Sequence, residues 1–387
     1  MRLIIWEIRK LLFSKRTIIA TLAILIISIT SGLLEGYYWN RQVEDVTAYN
    51  EMVKPYEGKI DKKLVESDLG QFYYVDPKVG PKERRILTFK DEYSKAIFSA
   101  QLYSNKIEKN KNKNYKSTVS YLNNLCSTLE KTGKKDSYLY KDSSKNLKMI
   151  SSAGEPGYYN NEGWQLVYVF LTATKGIFLM LIAIIVVITP IFSEENDNNM
   201  ERIILSTKMG RGKFIAAKIV TSFMFVISWI TIYYLCNTLV RLIPYKNLNF
   251  ENIPLNSIRG YWFTPFNLTV LQGLGISYIT TILSALALTA VFCAISAWQK
   301  NSIVSFALGV GISLGTVFIS GNEVVHKIVS LWPSITISSG ELFSNYKSYN
   351  ILNNPVLYPI FAAVVLIMIL IIGVLFTYKN FYGKIKA

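Results

Sequence analysis

The stretch TIIATLAILIISITSGLLEGYY, Thr17–Tyr38, decides the fold. Its 22 residues make a helix about 33 Å long, enough to cross a hydrocarbon core of about 30 Å. Arg2, Arg9, Lys10, Lys15 and Arg16 precede it. Basic residues before an apolar run also fit a cleaved signal peptide ending near Thr30-Ser31-Gly32. The apolar run resumes at Leu33-Leu34, so it is read as a retained transmembrane helix over 17–38. Working outward, runs of similar character recur at 164–192, 214–243, 269–298, 303–320 and 356–378. The expected fold is an all-α polytopic membrane protein with six transmembrane helices.

Composition agrees with this reading. Of 387 residues, 51% are hydrophobic and 18% charged, against roughly 25% charged in soluble domains. The formal charge of +16 permits either nucleic acid or an anionic membrane surface as a partner. Its distribution favours membrane lipid. Arg202, Lys208, Arg211, Lys213, Lys300, Lys379, Lys384 and Lys386 fall in short pieces on one side, as the positive-inside bias expects. Both termini are then cytoplasmic, with a tail at 379–387. The remaining basic residues spread over a polar lobe and the membrane flanks, so no nucleic-acid partner is expected. Cys126, Cys236 and Cys293 are far apart, which supports neither a disulfide framework nor a metal site.

Ahead of the first span, in residues 1–16, Ile4, Ile8, Leu11 and Leu12 recur at helical spacing, with Arg2, Glu7, Arg9, Lys10 and Ser14 opposite. This pattern suits an elbow helix lying in the interface, with Trp6 and Phe13 at headgroup level. The alternative is that residues 2–16 simply extend the first span. The polar block 39–163 is expected to be a largely helical extracellular lobe. Helices are read over 83–111 and 115–131, with turns at Gly133-Lys134-Lys135-Asp136 and Gly154-Glu155-Pro156-Gly157. Residues 244–268 form a second external loop, and 321–355 an external re-entrant or interfacial segment.

The segment 193–213 is the most informative. The chain reads FSEENDNNMERIILSTKMGRGKFIAAK over Phe192–Lys218. Ser193 can cap a short helix whose first turn holds Glu194, Glu195 and Asp197, complementing the helix dipole. Met200, Ile203, Ile204 and Leu205 supply an apolar patch, Gly210 and Gly212 break the helix, and Arg211, Lys213 and Lys218 mark re-entry into the bilayer. An amphipathic helix between two spans can pass a push from a soluble partner to both. The plainer alternative is a solvated loop carrying positive-inside charges.

Phe192-Ser-Glu194-Glu195, Ile204-Leu205-Ser206-Thr207-Lys208, Gly210-Arg211-Gly-Lys213 and Ala217-Lys218 together resemble the coupling-helix stretch of type-2 ABC export permeases. The resemblance extends to the layout of elbow, lobe after the first span, and six spans. It implies that Glu194, Glu195, Met200, Leu205, Ser206, Thr207, Gly210, Arg211 and Lys218 form the coupling region for a separate ABC ATPase subunit. ATP and Mg would bind that partner, with no cofactor on this chain. It also implies a second permease copy or a related permease, with first and fifth spans meeting across the dimer, in a bacterial plasma membrane. The expected function is efflux of an amphipathic or hydrophobic peptide, lipid or drug. The alternative is a non-transporting sensor or scaffold whose lobe binds a peptide or an anionic envelope ligand.

No G-x-x-x-x-G-K-[ST] loop occurs, so the chain is read as a transport subunit, not an enzyme. Gly311-Ile-Ser313-Leu-Gly315 matches a hydrolase nucleophile pattern but lies in an apolar span, and the sole histidine, His326, lies beyond it. Gly309, Gly311 and Gly315 are read instead as a helix-packing or dimer face. Glu194, Glu195, Asp197 and Glu201 lack the spacing of a calcium loop, and no metal is expected. Lys175, within the second span, is a pathway candidate, with snorkelling to the headgroups as its alternative. Arg241, near the outer end of the third span, has the same two readings, with snorkelling the favoured one.

Overall fold

The computed structural model describes residues 2–42, 46–47, 50, 54, 57–58, 115–157, 159–172, 174–197, 200, 212–246, 253–258, 260–316, 319 and 323–383. The expected helix over 83–111 and the patch at 203–205 lie outside them. The chain is mostly helical, with five helical stretches long and apolar enough to cross a membrane among the described residues, one of them, Glu162–Glu195, counted across the break described below. It is a membrane-embedded polytopic protein.

Helix α1 (Arg2–Leu12) is separated from α2 (Lys15–Gln42) by a turn at Phe13-Ser14. Glu7 and Leu11 of α1 are buried, whereas Trp6 and Phe13 are exposed. The lobe contributes α3 (Tyr115–Lys131) and α4 (Tyr138–Ala153). Between them Gly133 adopts φ +69°, a left-handed turn that glycine enters without a Cβ penalty. Ser137 caps α4, its hydroxyl accepting from Tyr140 N at 3.3 Å.

The second apolar run is not one helix. It divides into α5 (Glu162–Leu171) and α6 (Thr174–Ile188). Carbonyls near the break find donors on other elements: Tyr234 Oη donates to Leu171 O at 3.2 Å, Tyr233 Oη to Gly176 O at 2.8 Å, and Gly340 N to Thr172 O at 3.2 Å. Such replacement is what makes broken helices tolerable at membrane depth. After a turn comes α7 (Ser193–Asp197), then α8 (Lys213–Leu242), α9 (Val270–Trp298) and α10 (Ser302–Gly315). Thr269 and Gln272 form a reciprocal capping box on α9, and Asn301 caps α10 by accepting from Ile303 N and Val304 N.

Over its 14 described residues α10 is about 21 Å long, shorter than the run expected over 303–320, of which 317, 318 and 320 lie outside the described residues. Beyond it lie α11 (Glu323–Val329), α12 (Pro333–Thr336) and α13 (Gly340–Ser344). Ser284 Oγ, halfway along α9, donates to Thr336 Oγ1 at 3.0 Å, and Thr281 Oγ1 to Ile337 O at 3.2 Å. The segment 333–340 therefore reaches the middle of α9.

An antiparallel hairpin, β1 (Ser348–Ile351) and β2 (Asn354–Leu357), follows. It was not expected in an all-α chain, and it shifts the start of the last span from 356 to 358. α14 (Tyr358–Gly383) continues directly from β2 and packs along α9. Their contact is close at Gly373, where a Cβ would stand 2.8 Å from Ala290 C and Cβ.

Arg241 corrects the snorkelling reading. It is buried, its Nε 3.1 Å from Glu35 Oε2 of α2 and its guanidinium 3.5 Å above the Phe170 ring. Nη1 also donates to Asn237 Oδ1 at 2.8 Å. A guanidinium between spans is held by a carboxylate, an amide and a ring face in place of headgroup water.

Candidate coupling site

The site is built at the end of the molecule where α1 lies. α7 places Glu194, Glu195 and Asp197 on one short turn, and the first two turns of α8 bring Phe214, Ala217 and Lys218 onto a buried face. Glu195 Oε1 accepts from Lys218 Nζ at 2.8 Å and from Lys10 Nζ of α1 at 2.6 Å. Lys218 Nζ also donates to Ile191 O at 2.5 Å and lies 5.0 Å from the Phe214 ring centroid. Glu195 and Lys218 are both buried. A buried charge pair is stable only when well paired and bonded, and two cations on one carboxylate oxygen meet that need.

The same segment is fastened elsewhere. Arg16 Nη2 of α2 lies 3.2 Å from Glu194 Oε2, with both side chains part-exposed. The N–H groups of Phe192 and Ser193 donate to Ser296 Oγ of α9 at 2.9 and 3.1 Å. Ser193, expected as a cap, is buried facing Ser296. Asp197 accepts from Ser302 N of α10 at 3.1 Å and from the Ser302 hydroxyl. The Phe192 ring lies 5.6 Å from that of Phe381 in α14. Seven residues, 191–197, thus contact α1, α2, α8, α9, α10 and α14.

Glu7 borders this cluster. Burial raises its carboxyl above the usual range, and the nearby Lys218 and Lys10 ammonium groups oppose that only in part. Its Oε1 is buried without a hydrogen-bond partner among the described residues.

The structure brings together Glu194, Glu195 and Lys218 of the expected coupling set, and leaves Met200 exposed beside them. Leu205, Ser206, Thr207, Gly210 and Arg211 lie outside the described residues. Lys175 sits in the first turn of α6, and its side chain lies outside the description. Gly309 packs inside the chain, where a Cβ would stand 2.3 Å from Thr189 Cγ2, while Gly311 and Gly315 face open space. Ser313 Oγ donates to Gly309 O at 2.7 Å within its own helix, and Ser313 is buried. Sequence reasoning missed Lys10, Arg16, Ser296 and Ser302 as partners. The only available signal was their position at helix ends flanking the same side of the bundle.

Between α6 and α10 runs a groove of about 210 Å³ lined by Phe178, Leu181, Ile182, Ile185, Val186, Phe306, Val310 and Leu314, all apolar. Among the described residues no group of His, Cys, Asp and Glu could hold a metal ion. No family model, curated protein or solved structure matches the chain.

Proposed function

We propose that the chain is the permease subunit of an ATP-driven exporter, in which residues 193–213 receive the push of a separate ABC ATPase and pass it to the spans. The observation that carries this reading is the attachment of residues 191–197 to six helices at once. A push on an element tied to one helix moves that helix; a push on this one reaches every helix it holds, which is the property a coupling element needs. The buried Glu195–Lys218 pair, joined by the more exposed Lys10, is the rigid root, whereas Glu194, Asp197 and Met200 remain accessible for docking.

In this reading the membrane holds six spans, with α10 as the short fifth, and α1 lies as an elbow in the cytoplasmic interface. The lobe is external and both termini are cytoplasmic, in a bacterial plasma membrane. ATP and Mg belong to the partner, since the sequence contains no phosphate-cradling loop. A second permease copy or a related one completes the pathway, and the open faces of Gly311 and Gly315 suit close helix approach. The apolar groove between α6 and α10 suits the hydrocarbon part of an amphipathic peptide, lipid or drug.

The test is purification from the native membrane in mild detergent, followed by mass spectrometry of what stays bound. A co-purifying Walker-motif ATPase is expected, and it is lost when Glu194→Lys and Arg211→Glu are combined. Lys10→Ala is expected to retain the ATPase but to weaken the coupling of hydrolysis to efflux. Absence of any nucleotide-binding subunit from an intact complex would overturn the assignment.

A further inference from the structure

At the opposite end of the molecule, α4 offers one face, at positions 138, 141, 142 and 145, to the β1–β2 hairpin. Asp142 Oδ1 accepts from Ser348 Oγ at 2.6 Å and from Tyr346 Oη at 2.8 Å. Tyr138 Oη and Ser348 Oγ are 2.8 Å apart, and Lys145 Nζ donates to Pro355 O at 2.9 Å. Asn353 Nδ2 returns a bond to Asp136 O at 2.9 Å. All of these contacts are polar, and each is only part-buried or exposed. Water can replace each bond, which lets such a contact open and reclose, whereas an apolar contact must expose surface to do so.

The hairpin is in turn rigidly tied to what lies beneath it. β2 runs into α14 with no intervening residue, and Tyr358 N donates to Lys347 O at 2.9 Å. Tyr358 Oη donates to Ser330 O at 2.5 Å, and Tyr349 Oη to Lys327 O at 2.9 Å at the end of α11. From Ser330 the chain passes in a few residues to the segment 333–340 that reaches the middle of α9.

We propose that α4 and the hairpin form a releasable latch through which the lobe sets the position of α14 and of the segment 323–344. Occupancy or displacement of the lobe then reaches the centre of the helical bundle along the bonds that run from the hairpin through Tyr349, Tyr358 and Ser330. The consequence for transport rests on the permease reading above, in which this end is the exit; the mechanical link is a property of the chain alone.

Hydrogen exchange on the full chain in lipid nanodiscs tests the link. Asp142→Ala is expected to speed exchange in 345–357 about tenfold, and to speed it measurably at 333–344, to which none of these α4 bonds runs. A second variant pairs Asp142→Cys with Ser348→Cys in a chain whose Cys126, Cys236 and Cys293 are serine. Its oxidised form is expected to exchange more slowly at 333–344 than its reduced form. A response confined to α4 and the hairpin in both variants would overturn the proposal. Loss of ATPase binding leaves this result untouched, and failure of the latch leaves ATPase docking at residues 193–213 untouched, so the two readings fail separately.

Discussion

The two ends of the bundle are fastened by opposite means. At the α1 end, Glu195 and Lys218 are buried and joined through Lys10 to a third helix. At the lobe end, Asp142, Tyr346 and Ser348 make a set of hydrogen bonds that stays part-exposed to solvent. A buried ionic junction resists partial opening, because separating its members strands a charge in low dielectric. A wet polar junction opens one bond at a time at little net cost. The first arrangement suits transmission of force without slip, and the second suits a contact that is made and released.

The largest effect should therefore come from the buried junction. Lys218→Met leaves Glu195 with Lys10 alone and should cost about 3 to 5 kcal/mol, read as a fall in the unfolding midpoint of the detergent-purified chain. Adding Glu195→Gln should recover much of that loss, because the stranded charge is gone. If Lys218→Met matches wild type, the contrast between the two ends collapses.

Next come the glycines of α10. Gly309→Val forces two methyl groups toward Thr189, where even a Cβ would stand 2.3 Å from Cγ2, and should cost about 1 to 3 kcal/mol. Gly311→Ala meets open space and should raise the stability of the isolated chain by about 0.5 to 1 kcal/mol through helix propensity. Equal effects at the two sites would mean that α10 is rotated from the position described. The same thermal measurement on both variants decides it.

Leu352 sharpens the comparison at the wet end. It turns the hairpin at φ +49° with Asn353 at +64°, and its side chain is fully out in solvent. A leucine in this conformation carries a strain of about 1 to 2 kcal/mol, whereas asparagine is at home there. Leu352→Asn should slow amide exchange across 348–357 and leave the α1 end unchanged.

Much of this was legible in the sequence, for a definite reason. A bilayer demands about 20 apolar residues per helix, so runs such as 17–38 and 214–243 announce themselves. The residues of the proposed coupling site were legible as residue types but not as contacts. Glu195 and Lys218 stand 23 positions apart, and Lys10 is 185 positions from its partner. Only the rotation of α1 and α8 about their axes makes them meet. Glu7 falls on the polar side of α1 by its spacing, yet it is buried where α1 packs on α8, while Arg9 and Lys10 stay exposed. The break after Leu171 carries no proline; it is held by tyrosines and a glycine N–H from distant elements. The hairpin left a readable trace in Leu352-Asn353-Asn354-Pro355, but its second strand is apolar enough to be absorbed into the following span.

The smallest effect concerns pH and again separates the two ends. Glu7, in α1, holds its proton more tightly in the folded chain than an exposed glutamate does, chiefly because it is buried. The charged and titratable groups that act on it are Lys218 of α8, Lys10 of α1 and Glu195 of α7. A carboxyl whose folded pKa is raised contributes stability at pH values below the unfolded pKa of about 4.3, and that contribution fades as pH rises through the folded pKa. Wild type should therefore lose stability relative to Glu7→Gln across that interval, with Glu7→Gln equal or better at neutral pH. Unfolding midpoints of the two chains, measured from acid to neutral pH, give the slope directly. Parallel curves would place Glu7 in water, and the α1 end would then be as wet as the lobe end.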